Sequence, residues 1–124
     1  MTLQEREARA CAIIDSMAEE LRDISLYLHD NPELGLNEHK AVKVINQFLE
    51  NHNFTSQVGL TDLPELQTAL RGDYNGTAQH KIAFLGEYDA LPELGHGCGH
   101  NLIAMMSLGA AIAFSQSAPE TWGT

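Results

Sequence analysis

Residues 101–116 constrain the fold more than any other stretch. Leu102, Ile103, Ala104, Met105, Met106, Leu108, Ala110, Ala111, Ile112, Ala113 and Phe114 put apolar side chains nearly all round a helix from Asn101 to about Gln116. A helix with no polar face must be covered on several sides, which places it inside a layered α/β structure. Its methionines fill gaps between layers. A chain of 124 residues holds one sizeable core.

The remaining periods supply the layers. Ile14, Met17, Leu21, Ile24 and Leu28 recur every three or four residues and predict an amphipathic helix from about Leu3 to His29. Asn31-Pro32 ends it, because a residue preceding proline is pushed out of the helical region. Asn37 is the expected N-cap of a second helix, which carries Ala41, Val44, Ile45, Phe48 and Leu49 on one face and ends at Asn51-His52-Asn53. Strands are expected at Thr55–Val58, Leu66–Leu70 and, most firmly, Lys81–Leu85, with a turn at Asp73-Tyr74-Asn75-Gly76. Trp122-Gly123-Thr124 reads as the threshold of another strand. The expected fold is α/β, a small mixed sheet flanked by helices, with Lys81–Leu85 central.

A formal net charge of -10 repels phosphate backbones and anionic membrane surfaces, so neither nucleic acid nor membrane is an expected partner. The first residues lack an apolar signal core and no later run could span a bilayer, so the expected location is cytoplasmic. Cys11, among Ala8, Ala10, Ala12 and Ile13, reads as a buried small hydrophobe rather than half of a disulfide.

The chemistry is concentrated in Gly86-Glu87-Tyr88-Asp89-Ala90-Leu91-Pro92 and His96-Gly97-Cys98-Gly99-His100-Asn101. A thiol and an imidazole two positions apart can reach one small volume, and their donor atoms suit zinc, manganese or a similar divalent ion. Glycines between them let the backbone approach an ion. Three bland readings stand beside this one: Cys98 as a buried thiol, His100 as a helix-capping imidazole, and Asp89 as a strand-end cap. Cys98 as the nucleophile of a Cys-His hydrolase is a further alternative, with Asn101 as orienter.

With Leu28-His29-Asp30-Asn31-Pro32-Glu33-Leu34-Gly35 and Glu38, these two segments make three in order. Together they resemble the N-terminal part of the aminoacylase and carboxypeptidase-like metallo-amidohydrolases, in the branch acting on N-acyl amino acids and peptide conjugates. The resemblance implies an αβα catalytic domain with an inserted, dimerising smaller domain. It also implies two divalent ions, zinc or manganese, at the carboxyl ends of the strands. It implies Cys98 and His100 as metal ligands and Asp89 as the carboxylate that orients a ligand. Glu87, His96 and Asn101 are expected around them rather than on the metal. Many relatives carry Asp at the positions of Glu87 and Asn101.

On this reading residues 1–124 are one incomplete catalytic domain, and the catalytic base belongs to a Glu-Glu pair beyond Thr124. None of Glu87, Asp89 or Glu93 replaces that base. The complete protein is expected to hydrolyse amide bonds of N-acyl amino acids or small peptides, with these 124 residues inactive and their metal site empty or partly filled. The non-catalytic alternative is a truncated remnant. An uncovered sheet edge and an under-covered apolar helix make self-association an expectation.

Overall fold

The computed structural model describes residues 1–60 and 62–124. Helix α1 spans Leu3–Ser16 and opens with reciprocal bonds that satisfy two free amides. Glu5 N donates to Thr2 Oγ1 at 3.1 Å, and Thr2 N donates to Glu5 Oε2 at 2.6 Å. Helix α2, Ala18–Asp30, follows after a single residue, so the one long helix expected over 3–29 is two. At the break Met17 N donates to Ile14 O at 3.0 Å, and the Ser16 hydroxyl donates to Ile13 O at 2.6 Å. These three-residue bonds tighten the turn and let Met17 point inward.

Helix α3 spans His39–Asn51 and buries Ala41, Val42, Ile45, Phe48 and Leu49. Its cap residue is Glu38, not the expected Asn37, and no Glu38 side-chain cap bond forms. The carboxylate of Glu33 does the capping instead, accepting from Lys40 N at 2.8 Å and Ala41 N at 2.8 Å. A full negative charge there satisfies two free amides and opposes the positive helix end.

Strand β1, Thr55–Val58, pairs antiparallel with β2, Leu70–Asp73, in the register Thr55↔Asp73 to Val58↔Leu70. The strand expected over 66–70 is therefore displaced. Residues 63–69 instead form tight turns, with Leu66 N donating to Leu63 O at 2.9 Å. The turn beyond β2 is as expected, and Asn75 takes a positive φ of 51°.

Strand β3 is only His80–Lys81 and pairs parallel with β4, Trp122–Gly123. Among the described residues the single sheet expected from sequence is thus two separate strand pairs, and most of Lys81–Leu85 is not in a ladder. Beyond Lys81 the pairing continues only as Ile82 N donating to Gly123 O at 3.1 Å. The fold remains a mixed α/β arrangement.

Helix α4, His100–Ser117, is the centre of the molecule, with α1 and α2 packed on it. Ala104, Met105, Ala111, Ile112 and Ala113 are buried. Gly109 lets α2 come close, since a Cβ there would sit 3.3 Å from Leu21 Cδ1. Arg6 closes the far end, donating from Nη1 to Ser117 O at 2.7 Å. Helix α1 contributes no fully buried residue, and Cys11 is exposed rather than buried. Among the described residues no helix is long and apolar enough to cross a membrane.

Candidate metal centre at the head of α4

The segment 82–99 runs from β3 to α4 without regular secondary structure apart from turns and isolated bridges. Its start lies on α4, where a Cβ on Gly86 would meet Ser107 Oγ at 2.8 Å. Ser107 Oγ also donates to Leu85 O at 2.5 Å. At its end Gly99, with φ of 85°, turns the chain into α4. That left-handed backbone is open to glycine at little cost.

Asp89 and His100 meet there. His100 Nδ1 lies 2.8 Å from Asp89 Oδ1 and 3.1 Å from Asp89 O. Both partners of Nδ1 are oxygen acceptors, so Nδ1 is the donor, and in a neutral imidazole Nε2 then keeps the lone pair. This is the arrangement that orients a histidine for metal ligation through Nε2. Both side chains are partly exposed.

Cys98 is exposed and free, two residues before His100. A thiolate and an oriented imidazole are donors that fit a divalent ion. Among the described residues no group of three or more histidine, cysteine, aspartate or glutamate side chains converges as a metal cage. Cys98 and His100 could at most supply part of a coordination sphere.

Of the other sequence candidates, His96 stays near His100, while Glu87 and Asn101 do not join the pair. Glu87 is exposed. His96 is half-buried, and its Nδ1 has no hydrogen-bond partner among the described residues. Burial, then the neighbouring His29 and His100, hold the His96 imidazole below its ordinary range. Asn101 does not face the site. It is buried, and its Nδ2 donates to Ser25 Oγ at 3.2 Å and Ser25 O at 3.3 Å, tying α4 to α2. Two clefts of about 1060 Å³ and 620 Å³ open elsewhere, and neither is lined by Asp89, Cys98 or His100.

Residues without an assigned role in the sequence hold the site's backbone. Ala90 N donates to Glu33 O at 2.7 Å beside a parallel bridge between Leu34 and Ala90. The Tyr88 hydroxyl donates to Thr68 O. Burial, then the nearby Glu38 carboxylate, push the Tyr88 phenol up to about 12. The proline after Asn31 marks a turn in the sequence, but nothing local shows that this turn lies against residues 88–90.

No family model matches the chain. It is 38% identical over 110 residues to Xaa-Arg dipeptidase of Mus musculus, covering 84% of this chain and 26% of that protein. It is 31% identical to a p-aminobenzoyl-glutamate hydrolase of Escherichia coli, over 81% of this chain and 24% of the relative. With N-acetylcysteine deacetylase of Bacillus subtilis the identity is 29%, over 78% and 28%. The chain spans about a quarter of the length of these curated relatives.

Proposed function

The chain belongs to the aminoacylase and carboxypeptidase-like amidohydrolases, and we propose that it supplies Cys98, His100 and Asp89 to a metal-dependent hydrolase of amide bonds in N-acyl amino acids or small peptides. The observation that carries this reading is the Asp89–His100 pair at 2.8 Å, which leaves one imidazole nitrogen free beside the Cys98 loop. Relatives named for cleaving dipeptides, a benzoyl-glutamate conjugate and an N-acetyl amino acid support an amide substrate.

In this role His100 binds through Nε2, Asp89 holds its other nitrogen, and Cys98 binds as thiolate. A bound divalent ion, zinc or manganese with two ions in the complete enzyme, would supply Lewis-acid polarisation of the amide carbonyl and a more acidic water. Proton transfer to the leaving amine needs a base, and the partly exposed Asp89 is committed to His100. The 124 residues are accordingly one incomplete catalytic domain, inactive without the segments that carry the base and remaining ligands.

The test compares this chain with a version extended to the length of its relatives, on N-acyl amino acids and dipeptides with added zinc or manganese. Turnover is expected only in the extended protein, with loss in Cys98→Ser. Turnover by the 124 residues that Cys98→Ser abolishes would overturn the inactivity. An extended protein inactive across the panel would overturn the substrate class.

A second reading is a non-catalytic chain that folds and binds metal weakly, favoured by the absence of a third converging ligand among the described residues. Zinc binding by the chain with no activity in the extended protein would favour it.

A further inference from the structure

The first of the three sequence segments, Leu28–Gly35 with Glu38, contributes no candidate metal ligand, yet it touches the backbone beside Asp89. We infer that its function is positional: Glu33 and Glu38, with Thr68 and Tyr88, form a clamp that fixes the backbone on both sides of Asp89 and thereby the tautomer of His100. The inference rests on the reading of His100 as a metal ligand.

Asp89 has one tether on each side. On its C-terminal side Ala90 N donates to Glu33 O at 2.7 Å, while the same residue's carboxylate is anchored on α3 through Lys40 N and Ala41 N. On its N-terminal side the Tyr88 hydroxyl donates to Thr68 O, and the Thr68 hydroxyl donates to Glu38 Oε2. Glu38 Oε1 accepts from Leu36 N at 3.0 Å, which returns the chain of bonds to the first segment. Glu38 and Thr68 are buried, so the bond between them is protected from competing water. Gly35 lies between the two carboxylates: a Cβ there would stand 3.9 Å from Asp89 Oδ2 and 4.0 Å from Glu38 Oε1, ordinary contact distances.

Residues 82–89 lack a strand ladder beyond Ile82, so backbone pairing within a sheet does not hold Asp89. One isolated backbone bond, Ala90 N to Glu33 O, and the side-chain bonds of Tyr88, Thr68 and Glu38 do. The geometry makes Glu38, Thr68 and Tyr88 positioning residues that act on His100 through Asp89.

The experiment reads the imidazole nitrogens of the metal-free chain by nitrogen-15 NMR and, separately, its affinity for zinc alone. Wild type should show His100 as a single Nδ1–H tautomer. Thr68→Val and Tyr88→Phe each remove one hydroxyl, and should give mixed tautomers with zinc affinity about tenfold lower, the low end for losing an orienting partner. Thr68→Ser keeps the hydroxyl and should restore both readouts. Ile45→Val, a core change that touches none of these bonds, should leave both unchanged.

Folded Thr68→Val and Tyr88→Phe chains with the wild-type tautomer and affinity would overturn the clamp. An equal effect in Ile45→Val would also overturn it, by making the response general. If Thr68→Val fails to fold, Tyr88→Phe decides. Should Cys98→Ser leave wild-type zinc affinity unchanged, the metal reading fails and the tautomer comparison still judges the clamp.

Discussion

The unit of α3, β1 and β2 and the run from β3 to the head of α4 come from similar sequence signals and reach different ends. In the first, four registered residue pairs close a hairpin beneath a helix that buries Phe48 and Leu49. In the second, two pairs form and the run then leaves the ladder. An apolar groove of about 620 Å³ lies along it, lined by Ile45, Leu49, Ile82, Phe84 and Ala104 among others. Leu85 is 87% exposed and Met106 72%. Apolar alternation yields a strand only where another strand meets its backbone groups, because each unpaired amide or carbonyl otherwise turns to water. The chemistry sits in the second region, held by side-chain hydrogen bonds and one isolated backbone bridge instead of a ladder.

The largest expected effect tests the closed region. Phe48→Ala should cost about 3–5 kcal/mol, the range for emptying a buried aromatic site, read from chemical denaturation. A cost below about 1 kcal/mol would show that the α3 unit is no better packed than the open run. Glu33→Ala probes the join between the regions. Loss of an α3 cap should cost about 1–2 kcal/mol, and the amide of Ala90 should then exchange faster with solvent.

The third test is pH. The Tyr88 phenol is raised from its ordinary value near 10 to about 12, by burial first and by Glu38 second. Folding thus favours the neutral phenol. Its contribution is full below pH 10 and is lost as pH rises through about 12. Allowing for partial solvent exposure, wild type should lose about 1 kcal/mol more than Tyr88→Phe across that window. Parallel pH profiles would detach Tyr88 from the buried network.

The smallest effect tests the open region. Leu85→Ser should change stability by no more than about 0.5 kcal/mol, since its side chain already meets water. A larger loss would mean that residues 82–86 are covered in solution, and sedimentation would show whether a second copy covers them.

Much of the local structure was legible in the sequence. Three- and four-residue apolar spacing marked the helices, Asn31-Pro32 marked the end of α2, and the apolar run after Gly99 gave α4 to within two residues at either end. The thiol, imidazole and carboxylate of the candidate site were visible as residue types at short spacing. Local pattern carries such features because they depend on near neighbours along the chain.

The tertiary structure decided the rest. Sequence favoured Asn37 as the α3 cap, whereas Glu33 reaches it from seven residues away. Asn101, adjacent to the candidate ligands, turns away to Ser25 on α2. Lys81–Leu85 has the composition of a strand, yet only Lys81 of it pairs in a ladder. The tethers on Tyr88 and Ala90 join residues far apart in the chain. Each of these outcomes turns on which donor finds which acceptor once the helices have packed. Residue type sets what a group needs, and only the folded chain sets what it meets.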